Sequence, residues 1–97
     1  MDKKHFEIRL NGKVQGVGFR YSAKEEADKL NIYGYARNLR DGSVVIVVEG
    51  QDSSINQFMK WLKSSPGLSE VKGSEINESE IKGYRGFRVT GKNVEVF

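Results

Sequence analysis

The sequence predicts an α/β (α+β) sandwich with the ferredoxin-like order βαββαβ, in which an antiparallel sheet carries two helices on one face. Some short segments alternate apolar and polar residues, as half-buried strands do, and two others repeat apolar residues at helical spacing. Their order is strand, helix, strand, strand, helix, strand, which is the split βαβ pattern. The 97 residues contain no linker or low-complexity tract, so a single domain over residues 1–97 is expected.

The first strand and the first helix follow from two different periods. Phe6, Ile8 and Leu10 alternate with charged residues, and the pair Asn11-Gly12 predicts a turn that closes the strand. The apolar residues that then recur at helical spacing are Phe19, Ala23, Ala27 and Leu30. The helix begins either near Phe19 or at a capping box over Ser22 to Glu25, and the sequence leaves both starts open.

The second and third strands are predicted to form a hairpin. Alternation over Tyr33 to Leu39 places Tyr35 and Arg37 on one face and Ala36 and Asn38 on the other. Asp41-Gly42 is a strong hairpin signal. Ser43 to Glu49 is apolar on both faces, which predicts a central strand that ends at Gly50 and Gln51.

The second helix has the clearest apolar stripe, and the strands after it are weaker. The stripe consists of Ile55, Phe58, Met59 and Leu62. A capping box is expected at Ser54, and Pro66-Gly67 end the helical region. Val71 to Glu78 is polar enough for an edge strand. A last strand or two is suggested by Phe87, Val89, Val94 and Val96.

Composition excludes several classes of function. The absence of cysteine excludes disulfides and thiolate chemistry, and the one histidine, His5, is placed before the first strand, where it is too isolated to suggest a metal site. A net charge of +3 favours anionic ligands but is far below the charge density of nucleic-acid-binding proteins. The aliphatic run Val44 to Val48 is too short to span a membrane, and Met1 to Lys4 leads into no apolar signal region. A cytoplasmic protein without a membrane partner is expected.

A glycine-rich stretch between the first strand and the first helix predicts an anion site. Its sequence is Gly-Lys-Val-Gln-Gly-Val-Gly-Phe-Arg over residues 12–20. Successive backbone N–H groups at a helix N-terminus form a concavity suited to phosphate, and Arg20 adds a planar charged fork. Neither a Walker loop nor a dinucleotide fingerprint fits the stretch, because Val14 follows Lys13 and Tyr21 stands where glycine or alanine is needed. In the predicted topology the first and second strands end at the same end of the sheet, so Asn38 is expected near this cradle.

The stretch at 12–20 and a second stretch at 34–44, Gly-Tyr-Ala-Arg-Asn-Leu-Arg-Asp-Gly-Ser-Val, resemble the two signatures of the acylphosphatases. The similarity runs from about His5 to Thr90, and residues 91–97 look like an extension without an assigned role. The resemblance implies hydrolysis of an acyl phosphate to a carboxylate and inorganic phosphate. Because the sequence supplies no evident metal cluster, we expect the reaction to be independent of metal, and no cofactor is expected. It makes Arg20 the phosphate-binding arginine and Asn38 the water-orienting asparagine. The implied phosphate-binding residues are Gln15, Gly16, Val17, Gly18, Phe19 and Arg20. We further expect a monomer, with inorganic phosphate as product or inhibitor.

Other interpretations have less support in the sequence. Taken singly, Arg20 could be a surface residue with an ordinary salt bridge, and Asn38 a turn residue. The segment Lys82 to Val89 resembles an RNA-binding consensus, but Arg85 interrupts it. The third strand, where that motif belongs, has no aromatic residue, so nucleic acid is not expected as a partner. A third alternative is the same fold used as an inactive or regulatory module.

Overall fold

The structure is a computed structural model that describes residues 3–90. Seven elements lie within that range. In chain order they are β1 (Lys3–Lys13), α1 (Phe19–Lys29), β2 (Tyr33–Asn38), β3 (Val44–Gln51), α2 (Asp52–Lys63), β4 (Glu70–Ser79) and β5 (Phe87–Val89). The predicted order of strands and helices is therefore confirmed, and β5 is the last strand that Phe87 and Val89 predicted. The strand proposed around Val94 and Val96 and the extension at 91–97 lie outside the described residues.

The strands of residues 3–90 form one five-stranded sheet with the order β4-β1-β3-β2-β5. β1 pairs antiparallel with β3 and β4, and β2 pairs antiparallel with β3. This is the predicted antiparallel arrangement, with β3 central and β4 at an edge. β5 adds a parallel pair with β2, so that the sheet as a whole is mixed.

Both helices pack on the same face of the sheet, because that face carries the apolar members of each strand. α1 lies against β2 and β5, and α2 lies against β3. The buried side chains between the layers come from β1, β2, β3 and the two helices, and they include Ile8, Leu10, Ala36, Ile46, Val48, Ala23, Ala27, Ile55, Phe58 and Leu62. The faces predicted for β2 are confirmed, since Ala36 and Asn38 are buried while Tyr35 and Arg37 on the other face are half-buried.

Several predicted boundaries are wrong. β1 does not turn at Asn11-Gly12 but continues to Lys13 through a bulge, and His5 lies inside it. β3 runs two residues past Glu49, to Gln51, and α2 begins at Asp52 rather than at a cap on Ser54. Of the two starts that the sequence left open for α1, the structure has the one at Phe19, and the Ser22 capping box is not used.

In the part of the chain from residue 3 to residue 90, no helix is long and apolar enough to cross a membrane.

Candidate functional site

The glycine-rich stretch forms a loop from Val14 to Gly18 between β1 and α1. Val14 and Phe19, on either side of it, are 1% and 2% exposed, and the Phe19 ring stacks on Trp61 with centroids 6.4 Å apart. The residues between them lie at or near the surface. Two core anchors thus hold a short loop whose backbone is open to solvent, at the end of the sheet where β1 and β2 finish.

The backbone of this loop bends through left-handed conformations at Gly16 and Gly18. Their φ angles are +74° and +72°, and Gly18 is the N-cap of α1. The first helical hydrogen bond runs from the Ser22 N–H to the Gly18 carbonyl. None of the backbone N–H groups from Gln15 to Phe19 donates to another group within residues 3–90. A run of unpaired N–H groups at a helix N-terminus is the arrangement that binds anions.

The left-handed conformation at Gly18 allows a direct test of the loop backbone. A Cβ there would meet no atom within 4 Å, so Gly18→Ala adds strain without a clash. We expect the free energy of unfolding in urea to fall by about 1–2 kcal/mol, the cost of placing a Cβ in that region. Gly86→Ala is the matched control, because Gly86 also has open space but no positive φ. An equal fall in the free energy of unfolding in the two variants would contradict backbone strain at Gly18.

The side chain of Gln15 ties the loop to the β2–β3 hairpin. Its Nε2 donates to the Leu39 carbonyl at 2.7 Å and to the Ser43 carbonyl at 2.9 Å. Leu39 directly follows Asn38, so these two bonds place the loop beside Asn38. The sequence predicted only a backbone role for Gln15. The partners of its side chain are backbone carbonyls of the hairpin, which residue types do not identify.

Arg20 lies in the first turn of α1 and is linked to the sheet through Thr90. Its Nη1 donates to the Thr90 carbonyl. Thr90 in turn donates to the Ala36 carbonyl from its N–H at 3.0 Å and from its hydroxyl at 3.3 Å. Ala36 precedes Asn38 by two residues on β2. The start of α1 is thereby fixed close to the end of β2, and four of the five guanidinium N–H groups remain after the bond to Thr90.

Asn38 is the last residue of β2 and points toward the helix side of the sheet. It is 7% exposed, and its Oδ1 is a buried acceptor without a hydrogen-bond partner among residues 3–90. An unsatisfied buried oxygen costs about 1–3 kcal/mol, and such groups are rare enough to need an explanation. The predicted site residues therefore lie at one end of the sheet. The loop is attached at Leu39 and Arg20 is attached through Thr90 to Ala36, so the two attachment points flank Asn38 in β2.

The hairpin that accepts the Gln15 bonds is held by Asp41. Its Oδ1 accepts from the Ser43 hydroxyl at 2.5 Å and from the Ser43 N–H at 2.9 Å, and its Oδ2 accepts from Arg9. The bond from the Ser43 hydroxyl, the bond from its N–H and the Arg9 guanidinium together lower the pKa of Asp41 from 3.8 to about 2, against the opposing effect of desolvation.

A depressed carboxyl pKa makes a stability prediction with a definite sign. The contribution of Asp41 should be fully present above its unfolded pKa near 3.8 and lost as the pH falls toward about 2. Asp41→Asn should therefore lower the free energy of unfolding at pH 7, and the difference from the parent protein should shrink between pH 4 and pH 2. Asp28→Asn, which removes an exposed helix pair with Lys24, is the control. A difference that stayed constant over this pH range would contradict the ionised hairpin contact.

Residues 3–90 contain no group of three or more histidine, cysteine, aspartate or glutamate side chains placed to hold a metal ion.

Comparisons with known proteins show a family and a fold that this chain shares. The family model described as Acylphosphatase matches residues 6–89. A curated acylphosphatase of Archaeoglobus fulgidus is 43% identical over 83 residues, which are 86% of this chain and 93% of that protein. One from Thermococcus kodakarensis is 40% identical over 91 residues, 94% of this chain and all of that protein. The crystal structure of acylphosphatase from Bacillus subtilis superposes with a TM-score of 0.87 at 34% identity and covers 91% of this chain and 99% of its own.

Proposed function

The chain belongs to the acylphosphatase family, whose function is the hydrolysis of acyl phosphates, and we propose that the loop from Gln15 to Phe19, Arg20 and Asn38 form its active site. The observation that carries this assignment is the pair of attachments on either side of Asn38. Gln15 joins the loop to Leu39, and Thr90 joins Arg20 to Ala36. The continuous stretch from Gln15 to Arg20 is thus attached to β2 on both sides of the buried Asn38.

The loop and Arg20 are suited to hold the phosphoryl group. The N–H groups from Gln15 to Phe19, which have no partner within residues 3–90, can donate to its oxygens, and α1 has no acidic residue in its first turn to repel it. The guanidinium can donate two parallel hydrogen bonds to two phosphate oxygens while its bond to Thr90 fixes its direction. Because the same donors face the charge that develops on the phosphoryl oxygens in the transition state, they serve both binding and catalysis.

Asn38 is suited to hold the attacking water. Its amide is not a base at neutral pH, but the buried Oδ1 can accept a hydrogen bond from a water molecule. This bond would orient the lone pair of the water oxygen toward phosphorus. The new bond forms between the water oxygen and phosphorus, and the bond from phosphorus to the acyl oxygen breaks. The carboxylate leaves with the electron pair, and since it is a good leaving group no strong general acid is needed. A phosphate oxygen of the substrate is the proposed acceptor of the water proton.

Further properties follow from this site as predictions. Inorganic phosphate should occupy the same donors as a product and inhibit competitively. Positioning and charge stabilisation suffice for phosphoryl transfer from an acyl phosphate, so a metal ion should not be required. The monomeric state and the cytoplasmic location expected from the sequence also stay predictions.

The test of the proposed function is release of inorganic phosphate from an aryl acyl phosphate such as benzoyl phosphate. We expect hydrolysis at the same rate with EDTA, with added Mg²⁺ and with neither. Inorganic phosphate should raise KM and leave kcat unchanged. Loss of activity in EDTA that Mg²⁺ restores would contradict metal independence, and hydrolysis no faster than in buffer would contradict the proposed site.

A further inference from the structure

A second concave surface lies on the face of the sheet opposite the helices. It is a groove of about 530 Å³ between β2, β5 and the connection from β4 to β5, with Tyr35, Arg37, Tyr84, Arg85, Arg88 and Thr90 along its walls. Tyr35 and Arg37 alternate along β2 with the buried Ala36 and Asn38, so they point away from the helices. The groove therefore opens on the other face of the sheet from α1, and it borders the proposed phosphate site only at Thr90, whose carbonyl accepts from Arg20.

The charge of this groove is strongly positive. Three arginines line it, and among residues 3–90 no aspartate or glutamate lines it. None of these arginines forms an ion pair with a residue of the range 3–90. The Nε of Arg37 is buried and has no hydrogen-bond partner within that range, although buried donors are usually satisfied. Three guanidinium groups that share one concavity suit an anion.

The groove also contains aromatic surface. The rings of Tyr35 and Tyr84 meet edge to face with centroids 5.8 Å apart, and the Arg37 guanidinium carbon lies 5.2 Å from the centroid of Tyr35. Tyrosine rings and guanidinium planes are the two surfaces on which proteins stack planar ligands. The walls thus combine stacking surface with positive charge.

The position of Tyr84 is fixed from beneath the groove. Burial raises the pKa of Glu49, but hydrogen bonds from the N–H groups of Lys82, Tyr84 and Gly83 and from His5 outweigh it and lower the pKa. The Glu49 carboxylate accepts from Gly83 at 3.0 Å and from Tyr84 at 3.1 Å, and the Tyr84 ring stacks on His5 at 6.2 Å. The Glu49 carboxylate is thus paired with backbone N–H groups. The same contacts hold Tyr84 in place as one wall of the groove.

We infer that this groove binds a small anion that carries a planar aromatic ring, with the size and chemistry of a nucleotide. The arginines match a phosphate group, the tyrosines match a base, and the volume lies within the range of small-molecule sites, roughly 300–1,000 Å³. The inference does not depend on the proposed active site, because it uses neither Arg20 nor Asn38.

The experiment titrates the whole protein with adenosine monophosphate, adenosine and ribose 5-phosphate at fixed ionic strength, using calorimetry. Adenosine monophosphate should bind, and each of the other two, which lacks either the charge or the ring, should bind at least about threefold more weakly, since an exposed charge pair or a stacking contact is worth a fraction of a kcal/mol or more. Equal binding of all three, or no binding of adenosine monophosphate at millimolar concentration, would overturn the inference.

Variants then locate the site. The double variant Arg85→Gln/Arg88→Gln should weaken adenosine monophosphate binding by about tenfold while the rate of acyl phosphate hydrolysis stays unchanged. The control Lys60→Gln/Lys63→Gln removes two exposed charges from α2 and should change binding little. Arg20→Lys should leave adenosine monophosphate binding intact. If Arg20→Lys abolished that binding and the arginine pair did not, the nucleotide would occupy the phosphate loop and the groove would not be a site.

Discussion

Replacement of Arg20 by lysine should lower kcat/KM by about 10²-fold or more, the usual cost of losing a donor aimed at charge in the transition state. Lysine keeps the positive charge but lacks the planar fork, so it cannot donate two parallel bonds to phosphate and a third to Thr90. The affinity for inorganic phosphate, measured as a competitive inhibition constant, should weaken by roughly tenfold, since a hydrogen bond to a charged group is worth about 1.5–3 kcal/mol. Both binding and turnover should therefore suffer.

Arg40→Lys is the matched control for this variant. Arg40 is exposed and follows the end of β2, so the exchange tests the same chemistry near the same end of the sheet but outside the site. Its kcat/KM and phosphate inhibition should be close to those of the parent protein. Near-normal turnover and phosphate inhibition in Arg20→Lys would show that the guanidinium is not part of the phosphate site.

The alternating and helical patterns were sufficient to predict the fold, because each strand and each helix buries one face and this burial produces its periodicity. The boundaries depended on contacts between distant residues. Asn11-Gly12 has the composition of a turn, yet β1 continues because β4 approaches there: a Cβ on Gly12 would lie 2.1 Å from the Glu70 carbonyl oxygen. The glycine at this position allows close approach of a neighbouring strand rather than chain reversal, and its partner is set only by tertiary structure.

The start of α1 shows the same limit. Ser22 to Glu25 has a capping-box sequence, but the Ser22 N–H is already bonded to Gly18. Phe19 is 2% exposed and stacks on Trp61, so burial of this ring favours a helix whose N-cap, Gly18, lies four residues before Ser22. Packing of one aromatic side chain therefore outweighed a local capping preference, and it placed Arg20 in the first turn.

The candidate site was predictable in its residues but not in its support. Arg20, Asn38 and the loop glycines stand within the two stretches that resemble the family signatures. The Thr90 carbonyl that accepts from Arg20 is 70 residues away in the chain, and the carbonyls that accept from Gln15 belong to a hairpin 24 and 28 residues away. A backbone carbonyl carries no side-chain signal, so no reading of residue types could find these contacts.

The RNA-binding alternative also meets a physical obstacle in the structure. Phe87, one of the aromatics of the segment resembling the RNA-binding consensus, is 4% exposed and packs against Phe58 on the helix side. It is not available for stacking on a base. Tyr84 is half-buried and on the other face, so the two aromatics of that segment do not form one binding surface.

Asn38→Ala should lower kcat by about 10²–10³-fold, the typical loss when one placed polar group at a reacting centre is removed. The inhibition constant for inorganic phosphate should stay almost unchanged, because the loop N–H groups and Arg20 remain. The free energy of unfolding should also change little, because two effects oppose each other. The variant loses packing at the end of β2, but it also removes a buried oxygen that has no partner among residues 3–90. Asn56→Ala, on the exposed side of α2, is the control for replacing asparagine.

The contrast between the two site variants decides the division of roles. Arg20→Lys should weaken both phosphate binding and turnover, whereas Asn38→Ala should lower turnover alone. If Asn38→Ala weakened phosphate binding as much as turnover, Asn38 would be a contact to the phosphoryl group or a structural residue of β2. If turnover were unchanged, another group would hold the water. We expect a loss of turnover alone, because the Oδ1 of Asn38 has no hydrogen-bond partner among residues 3–90 and can accept from the O–H of a water that attacks phosphorus.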